Sequence, residues 1–263
     1  MLLAVDVGNT QTALGLYAGE NLLAHWRLAS LADTTADELA LRIRSLLALD
    51  GQSDQRLASA LLGDTIVRNA VVASVVPALT EQWERAAARL ARERVLIVDS
   101  SLDIGLDLAY ADPTEIGADR LADAVAALAL YGAPCIVVDF GTATNIEVID
   151  EKGSFIGGVI APGLVTSAQA LFSAAARIAK TKVEVPTRVI GKSTEEALRA
   201  GLTLGEIDRI DGLVRRIEAE LGYPATVVAT GGLSERVVGL SQTISIVNDT
   251  LTLEGLRLIH HRV

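Results

Sequence analysis

Cysteine is almost missing from this chain of 263 residues: Cys135 stands alone, so no internal disulfide can form. Such usage fits a reducing compartment and predicts a cytoplasmic protein. Cys135 falls inside the apolar run PCIVVDF, the setting of a buried structural thiol. Histidine is scarce too, and His25, His260 and His261 offer no HxxxH or mixed Cys/His spacing for a transition metal. They read as structural or surface groups. Aromatics make up 3% of the residues while half of the chain is hydrophobic, so the core must be built from Ala, Leu, Val and Ile. Lys plus Arg number 23 against 33 Asp plus Glu, a formal charge of -10. That balance argues against general binding of nucleic acid or anionic membrane, whose phosphates would be repelled. A small anionic substrate would need a local basic pocket. No apolar run approaches the ~20 residues that span a bilayer. The opening MLLAVDVGNT lacks the basic region of a signal peptide, and Asp6 interrupts its apolar stretch.

What is present is a pattern that occurs twice. LLAVDVG reads as a strand, QTALGLY as a second and LLAHWRL as a third, joined by the turns NT and AGEN. A helix starts at Thr35, where Glu38 completes a capping box, and Leu39, Ile43, Leu46 and Leu47 mark its buried stripe. AVVASVVP at 70–77 and RVLIVDS at 94–100 read as further strands with a helix between them. At Cys135 the unit restarts: CIVVDFG, TNIEVID and FIGGVIAPG are strands, with TA and EKGS as turns. Asp139 takes the place of Asp6, 133 residues later, and Gly141 that of Gly8. A third glycine turn, VVATGGLS at 227–234, follows another apolar strand.

Glycine turns at strand ends let backbone N–H groups approach an oxyanion closely, which suits phosphate. The common nucleotide signatures do not account for them. There is no GxxxxGK[ST], because Pro186 stands where the first glycine before Gly191-Lys192-Ser193 should be, and no GxGxxG or protein-kinase set. An aspartate among valines is costly to bury without a partner. Asp6 therefore either faces a bound cation or caps its own turn.

Taken in order, these motifs resemble the acetate and sugar kinase, Hsp70 and actin superfamily, and within it type III pantothenate kinase. The matching segments are DVGNT at Asp6–Thr10, SVVP at Ser74–Pro77, Tyr110 and Pro113 ahead of GADR at Gly117–Arg120, and DFGTAT at Asp139–Thr144. GGVIAPG at Gly157–Gly163, Gly191 with Thr194, and TGG at Thr230–Gly232 continue the series. The family often follows DFGTAT with a second threonine, where this chain has Asn145. The resemblance implies an α/β fold of two duplicated actin-like (ribonuclease H-like) domains, with mixed sheets flanked by helices and the active cleft between them. The expected domains are residues 1–115 and 116–263.

It also implies ATP-dependent phosphorylation of pantothenate to 4′-phosphopantothenate, opening coenzyme A synthesis, by a cytoplasmic homodimer. Asp6, Val7, Gly8, Asn9, Thr10, Gln11, Thr12 and Ala13, with Thr142, would hold ATP, Asp6 facing Mg²⁺ through water. Asp119 would be the general base, and its alternative is an ordinary helix-start aspartate favoured by the dipole. Tyr110, Gly117, Ala118, Asp119, Arg120 and Thr194 would contact substrate, Arg120 binding its carboxylate because a guanidinium suits a planar anion. A surface salt bridge is the other reading of Arg120, and Ser193 with Glu196 could simply cap the helix that Thr194 begins. Asp139 would hold a monovalent cation, K⁺ or NH₄⁺. The glycines Gly201 and Gly205 interrupt a long helix from Thr194 to Leu221, which predicts a close packing partner there. Other readings are a non-catalytic nucleotide- or metabolite-binding regulator, another small-molecule kinase of the superfamily, or an actin-like filament protein. The first would have lost Asp6, Asp119 or Arg120, and all three are present.

Overall fold

The computed structural model describes residues 1–53, 67–174, 182 and 184–263. The chain divides into two compact units, one of Met1–Gly105, Asp112–Ala126 and Thr252–Val263, the other of Leu106–Ala111 and Ala127–Leu251.

In the first unit, β1 (Leu2–Val7), β2 (Gln11–Ala18), β3 (Asn21–Ala29), β4 (Val67–Ser74) and β5 (Ala91–Ile97) form one sheet in the order β3-β2-β1-β4-β5. β1 runs antiparallel to β2 and parallel to β4, placing Asp6 opposite Ala13 on one side and Ala73 on the other. The alternating apolar residues bury Leu3, Val5, Val7, Leu14 and Leu16 against α1 (Ala36–Ser53) and α2 (Pro77–Ala88), where Leu39, Ile43, Leu79 and Trp83 close the core. The cap at Thr35 forms as its sequence predicts: Glu38 N–H donates to the Thr35 hydroxyl, and Thr35 N–H donates to the Glu38 carboxylate at 2.9 Å.

The second unit repeats the plan. Its strands β6 (Asp107–Leu108), β7 (Cys135–Phe140), β8 (Ala143–Ile149), β9 (Ser154–Pro162), β10 (Thr226–Thr230) and β11 (Ile246–Val247) lie in the order β11-β10-β7-β8-β9-β6. Read from β9, the series β9-β8-β7-β10-β11 matches β3-β2-β1-β4-β5, including the antiparallel hairpins and the parallel continuation. α4 (Leu164–Ala174) and α5 (Thr194–Leu221) supply Leu164, Ile207, Ile210 and Val214 to a core with Ile136, Val138 and Ala229. The α/β fold with two mixed, helix-flanked sheets is the one the resemblance implies.

Two expectations need correction. The compact units are not separated by one cut after residue 115, because Asp112–Ala126 and the C-terminal segment belong with the first. The reason is packing between α3 (Ala118–Tyr131) and α6 (Leu251–Arg262): a Cβ on Gly255 would lie 1.9 Å from the Ala122 carbonyl oxygen. Thr252 also donates its hydroxyl to Asp123 at 2.6 Å. Nor do Gly201 and Gly205 meet a partner within the described chain, since nothing lies within 4 Å of a Cβ at either.

Candidate functional site

Within the first unit, two predicted motifs meet a third at the carboxyl ends of the parallel strands β1 and β4, where open α/β sheets commonly bind ligands. Asp6 is half-buried one residue before the end of β1. The following turn is tight: Gly8 N–H donates to Gln11 O at 3.1 Å, and a Cβ on Gly8 would sit 2.9 Å from that oxygen. Asn9, Thr10 and Gln11 are exposed, whereas Val7 and Thr12 are buried and Thr12 shares a hydrogen bond with Ser30 Oγ. From β4, Val75 N–H donates to Val7 O at 3.1 Å. The Val75 side chain then lies 3.3 Å from the Cβ position of Gly117. So SVVP links the DVGNT turn to the start of α3.

Gly117 opens that helix, and Leu121 N–H donates to its carbonyl at 3.1 Å. Asp119 folds back over the turn, Oδ1 accepting from Arg120 N–H at 2.8 Å and lying 2.5 Å from the Cβ position of Gly117. A side chain at Gly117 would have to push that carboxyl aside. Burial holds the Asp119 carboxyl above the usual carboxylate range, against the opposing pull of the Arg120 N–H and guanidinium. A carboxylate of this kind is more basic than a solvated one, as proton acceptance from an alcohol requires. Ala118 and Arg120 are buried, Arg120 at 6% exposure, which removes the surface-salt-bridge reading.

The second unit gathers DFGTAT, GGVIAPG and TGG around Asp139. Asp139 is half-buried and sits opposite Thr230 on one side and Asn145 on the other. Gly231 has φ +89° and leaves a cradle that a Cβ would fill, 2.3 Å from Asp139 Oδ1 and 2.7 Å from Phe140 O. Gly163 presses on the turn in the same way, its Cβ position 2.4 Å from Gly141 O. The Thr142 carbonyl accepts from Gly163 N–H at 3.1 Å and from the Thr166 hydroxyl at 2.6 Å, and the Thr142 side chain is exposed. Tyr110 is partly exposed beside β9, its ring 6.0 Å from that of Phe155 and 3.8 Å from the Cβ position of Gly157. Thr194 begins α5 and is exposed; Ser193 caps the helix through Glu196 N–H, as its sequence suggests.

Among the described residues no group of three or more His, Cys, Asp or Glu could hold a metal. Asp6 as a single carboxylate fits Mg²⁺ carried largely by phosphates and water. The Asp139 carboxylate and the Phe140 carbonyl, both close to the Gly231 Cβ position, are oxygen donors of the kind a hard monovalent cation takes. Glu206 on α5 also reaches DFGTAT through Thr144, with Arg209 bound to it and to the Pro162 carbonyl, and no motif marked either residue. An acid and a base three apart on a helix look like an exposed pair in sequence.

The duplicated sheets and the glycine turns at their strand ends define a protein of the sugar-kinase and actin-like ATPase fold. In that fold, the polyphosphate/ATP-glucomannokinase of Arthrobacter sp. strain KM superimposes with a TM-score of 0.52 at 16% identity, over 100% of this chain and 99% of that one. A Campylobacter jejuni structure described as a putative Baf family transcriptional activator superimposes with a TM-score of 0.59 at 18% identity, over 99% and 98%. A family model for type III pantothenate kinase matches residues 2–216. The type III pantothenate kinase of Brevibacillus brevis is 41% identical over 262 residues, covering 100% of this chain and 99% of the relative. The chain belongs to the type III pantothenate kinase family.

Proposed function

We propose that the chain transfers a phosphoryl group from ATP to the hydroxyl of pantothenate, giving 4′-phosphopantothenate and opening coenzyme A biosynthesis. The observation that carries this reading is the end-to-end relation to type III pantothenate kinases, with every motif it requires in order. Phosphoryl transfer asks a protein mainly for positioning and charge stabilisation. Asp119 is the general base: its desolvated carboxyl takes the alcohol proton as the oxygen attacks phosphorus. Arg120, with Gly117, Ala118, Tyr110 and Thr194, holds pantothenate, the guanidinium pairing with its carboxylate and compensating for the net acidity of the chain.

The turn Gly8–Gln11, exposed at Asn9–Gln11 and flanked by Asp6, Val7, Thr12 and Ala13, receives ATP phosphates, and Thr142 is a further nucleotide contact. Mg²⁺ would be held at Asp6 through water; when bound it neutralises charge on the phosphates. K⁺ or NH₄⁺ would be held at Asp139. The assembly is a cytoplasmic homodimer, and the exposed pair Gly201 and Gly205, open on the outer side of α5, supports that helix as its contact.

Mass spectrometry of pantothenate incubated with Mg²⁺-ATP and the purified protein tests the reaction. One added phosphoryl group per pantothenate is the expected product. A folded protein that binds ATP and leaves pantothenate unmodified would instead be a nucleotide-binding regulator.

A further inference from the structure

The two hairpins carry a buried threonine at equivalent places, but they tie it differently. In the first unit Thr12 lies opposite Val7, and its hydroxyl meets the neutral Ser30 Oγ at 2.9 Å. In the second unit Thr144 lies opposite Phe140, and its hydroxyl donates to Glu206 Oε1 at 2.6 Å. Glu206 is 4% exposed. Its Oε2 accepts from Arg209 Nη2 at 2.6 Å, and the same guanidinium nitrogen donates to Pro162 O at 2.9 Å. Pro162 is the β9 partner of Ala143 on β8. The contacts thus close a ring from β8 through α5 to β9 and back, at the end of the hairpin that bears Thr142.

A neutral hydroxyl pair suffices to satisfy such a threonine, as Thr12 and Ser30 demonstrate. Placing a carboxylate at the second position costs desolvation that its ion pair only offsets, so little net stability is gained. What the charged arrangement adds is geometry: two strands held to one helix by directional bonds. At the same end of β9 the Thr142 carbonyl accepts from Gly163 N–H and from the Thr166 hydroxyl. The Thr142–Thr144 side of the turn is therefore restrained from β9, α4 and α5 together.

We propose that Glu206 and Arg209 are positioning residues that set the Gly141–Thr142 turn for nucleotide and for the cation at Asp139. Resting on the roles assigned above to Thr142 and Asp139, this predicts an effect on the nucleotide side of the reaction and none on pantothenate.

The test compares full-length Glu206→Ala, Arg209→Lys, Thr144→Val and Thr144→Ser with the parent chain. Three quantities are measured: the Kd of a non-hydrolysable ATP analogue with Mg²⁺ by calorimetry, steady-state kinetics in both substrates, and thermal unfolding. A misplaced turn should lower kcat/KM for ATP by about 10- to 100-fold, with a matching rise in the analogue's Kd. The KM for pantothenate should not move. Thr144→Ser, which keeps the hydroxyl, should behave as the parent, and Thr144→Val should behave as Glu206→Ala. Lower thermal stability with unchanged Kd and KM for nucleotide would overturn the proposal, as would equal losses for both substrates. The analogue's Kd needs no turnover, so failure of the kinase reading and failure of the positioning role are separately visible.

Discussion

Replacing Gly231 by alanine tests the Asp139 cradle through two physical effects that can be separated. The first is backbone strain, because φ at this position is +89° and an L side chain there costs about 1–2 kcal/mol. The second is crowding: the new Cβ would lie 2.3 Å from Asp139 Oδ1 and 2.7 Å from both N and O of Phe140. Two of these contacts are backbone, so relief requires movement of β7 as well as of a side chain. Overpacking of this kind costs about 1–3 kcal/mol, for a total of about 2–5 kcal/mol. At about 2–4 °C per kcal/mol, calorimetry should record a fall in Tm of about 4–20 °C. Gly222→Ala is the control, since Gly222 has φ +81° and nothing within 4 Å of its Cβ position. It should show the strain alone. Because the Asp139 carboxylate must shift, Gly231→Ala should also raise the K⁺ concentration giving half-maximal activity. A Gly231 variant no less stable than the Gly222 variant, with normal K⁺ activation, would refute the crowded cradle.

Asp119→Asn should lower kcat by about 10²- to 10⁴-fold. Burial raises the folded-state pKa of Asp119, so its contribution to stability is greatest at low pH and is lost as pH rises through that pKa; the variant should melt no lower than the parent at pH 7, and a large drop in Tm would contradict the desolvated base. Asp211 on α5 behaves oppositely. Burial would push it up, but hydrogen bonds from Ser241, Gln242 and Thr243 outweigh burial and hold it below the usual range. Asp211→Asn should therefore cost about 1–3 kcal/mol at pH 7, a deficit that denaturant titrations should find shrinking as pH falls below about 4; a pH-independent deficit would contradict it. Gly205→Leu should leave the fold intact and convert a dimer to monomer in sedimentation, while an unchanged dimer would place the interface elsewhere.

The duplicated hairpins were legible in the sequence because apolar alternation and D-x-G turns are local signals. The structure returns them strand for strand, Asp6 and Asp139 at equivalent places. The helix caps at Thr35 and Ser193 were legible for the same reason. What escaped depends on contacts far apart in the chain. β6 has only two residues, and its pairing with Ser154 and Phe155 gives no pattern of its own. The unit boundary inside α3 follows from the fit of Gly255 on Ala122, which no composition change announces. Arg120 is another case: beside Asp119 on a helix start it read as surface or substrate-binding, and its burial follows from the packing of α3. Glu206 was hidden because a buried acid and an exposed one look alike until the partner, Thr144, is known.

The measurement that bears most directly on the central claim is ADP release from Mg²⁺-ATP, with and without pantothenate, in K⁺ and in Na⁺ buffers. Pantothenate-dependent release in K⁺, and little in Na⁺, is the predicted result. Release that ignores pantothenate, or none from a folded protein that binds ATP, would contradict the account.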